Sequence, residues 1–115
     1  RKSKPTLDRT SPQRQRLVRN LAISLIAHEK IKTTDARAQV VRRVVERLIT
    51  TGKAQDLAAR RQLLRRLANE TAVKKVLTTL SPRYAKRPGG YARLTKLGPR
   101  KGDGAQMVMV ELISE

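Results

Sequence analysis

Cysteine is absent from this chain of 115 residues. Disulfides, thiolate nucleophiles and cysteine-type zinc sites are thereby excluded, and the absence fits a reducing compartment. Phenylalanine and tryptophan are also missing, and Tyr84 and Tyr91 are the only tyrosines. Domains that read single-stranded bases stack them on several aromatics, so this shortage points to recognition through shape and backbone. His28 is the single histidine. It falls near the end of a predicted helix, where the dipole favours a cation, and no second histidine or cysteine offers a metal partner. Acidic residues number nine, and Asp35, Asp56 and Glu70 among them stand at or near helix starts, where capping accounts for them. Gly89-Gly90 and Gly102-x-Gly104 lack the spacing and the Lys-Ser/Thr ending of a phosphate-binding loop. No apolar run approaches the roughly 20 residues of a membrane-spanning helix. The sequence opens on Arg1 without a signal-peptide pattern. These absences leave an enzyme without support, and no cofactor, metal or small-molecule substrate is expected.

What the chain does have is positive charge. Lys and Arg total 27, for a formal net charge of +18. A small domain needs only about 2 to 8 charges for solubility, and self-repulsion on this scale opposes compaction. A polyanion relieves it, and nucleic acid is the commonest polyanion. Each duplex phosphate neutralised contributes about 0.9 to the salt slope of binding. Basic residues occur in every segment, whereas a single-motif reader of DNA concentrates them on one element. Spread charge therefore favours RNA touched on several sides. The alternative is a basic DNA-binding or nucleoid-compacting protein, which would form a defined dimer or place one helix in a groove. A membrane-surface role through a basic amphipathic helix lacks a Trp or Phe anchor.

The hydrophobic fraction of 38%, at the size of one domain, supports a modest core of Leu, Val, Ile and Ala. Residues 1–12 form a basic N-terminal arm with Arg1, Lys2, Lys4 and Arg9, and residues 13–115 form a single α+β domain. Ser11 and Pro12 suit the N-cap and first position of a helix expected over Gln13–Glu29, with Leu17, Leu21 and Leu25 beside Val18, Ala22 and Ile26 on one stripe. Arg14, Arg16 and Arg19 crowd its first turns, where a bound phosphate would offset their clash with the dipole. Lys30–Thr33 is a candidate strand. Thr34 and Asp35 then open a helix to Thr51 with the stripe Val40, Val41, Val44, Val45, Leu48 and Ile49. Gly52 is expected to stop it as a C′ residue. Gln55–Ala68 is the third helix, apolar at Leu57, Leu63, Leu64 and Leu67 and basic at Arg60, Arg61, Arg65 and Arg66. Glu70–Leu80 is the fourth, capped by Asn69, turned inward by Val73, Val76, Leu77 and Leu80, and ended by Ser81-Pro82. Tyr91–Leu97 and Gln106–Ile113 read as strands of an antiparallel hairpin around a Gly-rich loop.

Phosphate contacts are expected from the arm, from the helix arginines, here Arg14, Arg16, Arg19, Arg42, Arg43, Arg60 and Arg61, and from Lys32. In the glycine loops they fall to Arg87, Gly89, Gly90, Tyr91, Arg93, Arg100 and Lys101. Arg forks onto phosphate with two hydrogen bonds while Lys acts as a point charge, and glycine lets backbone amides approach closely. Tyr91 is expected to be half core and half contact.

Several stretches together resemble the bacterial-type ribosomal protein L17 family of the large subunit. They are Arg1-Lys2-Ser3 with Leu7 and Arg9, Ile31-Lys32-Thr33-Thr34 before a helix with Ala36, Ala38 and Arg43, Glu46-x-Leu48-Ile49-Thr50, and the pair Arg60-Arg61. The most specific are Arg87-Pro88-Gly89-Gly90-Tyr91-x-Arg93 and Arg100-Lys101-Gly102-Asp103-Gly104-Ala105, followed by Met107 and Val110-Glu111-Leu112. Lys4-Pro5 and Ala92 depart from the family's usual Gly-Arg and Thr. The resemblance implies four helices on a small, mixed three-stranded sheet in two layers. It implies a structural constituent of the large (50S) subunit, bound to 23S-type rRNA near the nascent-chain exit region, with other large-subunit proteins as neighbours. Localisation would be the cytoplasmic ribosome or an organellar one.

Overall fold

The computed structural model describes residues 12–114. The expected arm, with Arg1, Lys2, Lys4 and Arg9, and the Ser11 cap lie outside these residues. Helix α1 (Pro12–His28) buries Val18, Ala22, Leu25 and Ile26 of the expected stripe, while Leu17 and Leu21 are half-buried at its edge. It ends because Glu29 turns left-handed, at φ +65°, with its N–H on Leu25 O at 2.7 Å. Glu29 was expected as the last helical residue; a non-glycine residue in this conformation costs about 1–2 kcal/mol, and its side-chain contacts, given below, hold it there.

Strand β1 (Lys30–Thr34) leads into α2 (Asp35–Gly52). Thr34 occupies the N-cap position without a capping side-chain bond. Val40, Val41, Val45, Leu48 and Ile49 are buried. Each such side chain contributes about 1.5–3 kcal/mol, more than the few tenths that valine loses in helix propensity, so packing holds this helix. Gly52 is not a C′ residue. It is the last residue of α2 and is buried, because a Cβ there would lie 2.4 Å from Ser81 Oγ and 3.0 Å from Val76 Cγ1. The left-handed turn after α2 falls on Gln55 instead, at φ +56°.

Helix α3 (Leu57–Leu67) starts on Asp56, which accepts from Ala59 N, and stops at left-handed Ala68. Leu63 and Leu67 are buried, while Leu57 is 61% exposed and takes no part in the core. Helix α4 (Glu70–Lys75) starts on Asn69, which accepts from Ala72 N. It passes through a π-helical turn (Val76–Leu80) into a short turn, α5 (Ser81–Arg83). Ser81-Pro82 therefore does not end the helix. The wider π turn, closed by Ser81 N–H on Val76 O, brings Pro82 into a new first turn, where its missing N–H is tolerated. Ser81 Oγ then donates to Ile49 O at 2.8 Å.

Strands β2 (Ala92–Pro99) and β3 (Gln106–Leu112) complete a three-stranded sheet in the order β1-β3-β2. The sheet is antiparallel throughout, with Ile31 opposite Val110 and Leu94 opposite Val110 on the two sides of β3. The expected mixed sheet is corrected on this point: β1 and β2 both run against the central strand, so no parallel neighbours arise. A bulge between Lys96 and Gly98 leaves Leu97 exposed at 47%. Val108, Val110 and Leu112 turn to the helices, where they join Leu25, Ile26, Val41 and Val45 in one core. The architecture is α+β in two layers, helices over sheet.

Candidate nucleic-acid interface

Cations cover the described surface in three settings. The first is structural. Arg83 Nη1 and Nη2 donate to Glu29 at 2.7 and 3.0 Å, and Lys75 Nζ lies 2.9 Å from the same carboxylate. The hydrogen bond from Arg83 holds the Glu29 carboxyl down at about 2 against the opposing pull of desolvation, and Lys75 helps. Lys53 Nζ sits 4.8 Å over the Tyr91 ring and donates to Arg87 O.

Tyr91 belongs to the same structural setting and is corrected as a contact residue. It is fully buried, its ring lies 5.0 Å from that of Tyr84, and its hydroxyl meets Thr50 Oγ1 at 3.1 Å. Tyr84, also buried, donates its hydroxyl to Ile113 O. Both tyrosines therefore anchor the loop before β2, and neither presents a ring to a base.

The second setting is surface cations held by a carboxylate. Arg60 lies 2.7 Å from Glu70, Arg42 3.8 Å from Glu46 and Arg93 3.7 Å from Glu111. In the hairpin loop Arg100 Nε and Nη2 donate to Asp103 at 3.1 and 2.7 Å. That fork, with Ala105 N–H on Asp103 Oδ1, holds the Asp103 carboxyl well below its ordinary range and raises Arg100. Four of the expected contact residues thus carry charge that an internal carboxylate partly cancels.

The third setting is exposed cations with no carboxylate partner among the described residues. Arg16, Lys32, Arg43, Arg61 and Lys101 are of this kind. Arg14, exposed on the first turn of α1, and half-buried Arg87, which points one guanidinium nitrogen at Gly90 O, 3.4 Å away, stand apart from this setting because each has an interaction of its own. Gly89 and Gly90 have no heavy atom within 4 Å of a Cβ position, and neither do Gly98, Gly102 and Gly104. Gly90, at φ +65°, and Gly102, at φ +97°, take conformations that side chains resist. The backbone of both loops is therefore open to a close approach from outside.

Among the expected residues, Arg19 is drawn into a concave surface. A hollow of about 310 Å³ is lined by Gln15, Val18, Arg19, Ala22, Val44, Leu48, Arg65, Arg66 and Leu67. An adjoining hollow of about 300 Å³ shares Val44, Leu48, Arg65 and Arg66 and adds Arg47, Thr51 and Gln62. Arg47, Arg65 and Arg66 fall within the general expectation for the arginines of the first three helices, but nothing in the sequence set them together. Their convergence depends on how α1, α2 and α3 cross. The sequence hint was Arg47 beside Leu48 and Arg66 beside Leu67, each a cation at the margin of an apolar stripe.

Among the described residues no group of three or more His, Asp or Glu could hold a metal ion, and no helix is long and apolar enough to cross a membrane. The arrangement suits an extended polyanion.

Comparison with known proteins gives a family match. The family model for ribosomal protein L17 matches residues 17–113. The large ribosomal subunit protein bL17 of Desulfitobacterium hafniense is 50% identical over 107 residues, covering 93% of this chain and 96% of that protein. The bL17 protein of Chloroflexus aggregans is 46% identical over 107 residues, covering 93% and 92%. That of Pelobacter propionicus is 44% identical over 114 residues, covering 99% and 90%.

Proposed function

The chain belongs to the ribosomal protein L17 family, and from that premise we propose that it is a structural constituent of the large ribosomal subunit, non-enzymatic, that binds and stabilises 23S-type rRNA through Arg and Lys contacts to phosphate. The observation that carries the RNA reading is the distribution of charge. The chain has a net +18, and exposed cations without a carboxylate partner among the described residues occur on α1, β1, α2, α3 and the hairpin loop. A ligand that neutralises them must reach several faces at once, as a folded RNA does and a straight duplex does not. The arm over residues 1–12 supplies further cations for the same partner. Neighbouring large-subunit proteins complete its surroundings, near the nascent-chain exit region, in the cytoplasmic ribosome.

Sedimentation of a lysate through a sucrose gradient at high salt tests this. Co-migration with the large subunit is the expected result. Migration at the top of the gradient, or with nucleoid DNA, would replace it with the DNA-binding reading.

A further inference from the structure

We propose that the groove between α1, α2 and α3 seats a single unstacked nucleotide of the bound RNA, its base against Val44 and its flanking phosphates on Arg19, Arg47, Arg65 and Arg66. The inference rests on the RNA-binding reading above and specifies what that RNA presents here.

A phosphate backbone alone needs only a charged surface, and the rest of the molecule provides one. This groove differs in having an apolar floor under its cations. Val18, Ala22, Val44, Leu48 and Leu67 line it; Val18, Ala22, Leu48 and Leu67 are buried in the core beneath, and Val44 is the floor residue left half-exposed. Each hollow, at about 300 Å³, sits at the small end of the roughly 300–1,000 Å³ of ligand sites, a size for one base and its sugar. Gln15, Gln62 and Thr51 at the margin supply hydrogen-bonding groups for a base edge. Guanidinium planes stack on bases in place of the missing aromatics.

Charge selects the occupant. No carboxylate lines either hollow, and none of the four arginines has an ion-pair partner among the described residues. Their mutual repulsion is relieved only by an anion. The chain's own N-terminal residues carry Arg1, Lys2, Lys4 and Arg9 against a single Asp8 and would add to that repulsion. An apolar surface ringed by cations matches a nucleotide, which is flat and weakly polar at the base and anionic on either side.

The test is nucleotide-by-nucleotide chemical probing of large-subunit rRNA with and without the full chain, for wild type, Val44→Phe and the double variant Arg65→Ala/Arg66→Ala. Wild type should protect one unpaired nucleotide. Both variants should restore its reactivity and weaken binding about tenfold, the scale of one base contact. Val44→Phe removes no charge and should leave the salt slope unchanged, whereas the arginine variant should lower it by up to about two. Arg61→Ala should lower the slope by about one and keep the footprint. If Val44→Phe fails to fold, the arginine variant decides alone, since Arg65 and Arg66 are exposed. Wild-type binding with a footprint that neither variant alters would overturn the groove and leave the RNA reading standing. An acidic peptide of a neighbouring protein crosslinked to Val44 in the assembled subunit would likewise overturn it. No binding of rRNA by wild type would remove both.

Discussion

Arg83 grips Glu29 with two hydrogen bonds across 54 positions of sequence, and through them the end of the α4–α5 stretch is fastened to the turn between α1 and β1. The same Glu29 residue accepts from Leu112 N–H through its backbone oxygen, at 2.8 Å. One left-handed residue thus joins a helix end, a second helix and the sheet.

Acid should remove the stability that this joint contributes. Glu29 titrates at about 2 in the folded chain against an ordinary 4.5. A carboxyl depressed by folding stabilises the native state fully above its unfolded value and loses that contribution as pH falls through the folded one. Urea unfolding of wild type and Glu29→Gln should therefore differ by about 1–2 kcal/mol at pH 7. The difference should shrink between pH 4.5 and 2. A difference that persists at pH 2 would mean that the side chain acts by shape rather than charge.

Gly52→Ala should destabilise the protein, although alanine favours a helix over glycine by about 1 kcal/mol. The new Cβ would meet Ser81 Oγ at 2.4 Å, and overpacking of this kind costs about 1–3 kcal/mol. The double variant with Ser81→Ala should recover part of the loss, because it removes the clashing atom. Thermal unfolding of wild type and the two variants checks both statements, and a more stable single variant would contradict them.

Tyr91→Phe should lower stability by about 1 kcal/mol, through the lost bond to Thr50, and leave rRNA affinity untouched. Filter binding read beside an unfolding midpoint separates the two effects. Reduced affinity at unchanged stability would return Tyr91 to the surface.

Lys101→Ala and Arg61→Ala should each reduce the salt slope of rRNA binding by about one, since neither cation has a carboxylate partner among the described residues. Arg100→Ala should reduce it less, because Asp103 already cancels much of its charge. Equal slopes for Arg100→Ala and Lys101→Ala would show that the RNA displaces Asp103.

The helices, the hairpin and the basic character were legible because each rests on neighbours close in the chain. Apolar spacing of three and four placed the stripes of α1 and α2, and Asp56 and Asn69 capped the helices they precede. Gly52 misled because two physical demands select the same residue. A left-handed stop and a close helix approach both require a missing Cβ, and only the position of Ser81 tells them apart. Ser81-Pro82 misled likewise, since a proline that ends an α-helix opens a new turn once a π turn precedes it.

By itself, the sequence determined the excess of positive charge and most of the secondary elements. Net charge is a sum over residues and periodicity is a local pattern, so neither depends on the route of the chain. The tertiary structure decided which cations act inward and which outward, that Tyr91 belongs to the core, and that Arg19, Arg47, Arg65 and Arg66 share one groove. Those outcomes depend on distances between residues far apart in sequence, and packing sets such distances only when the helices close over the sheet.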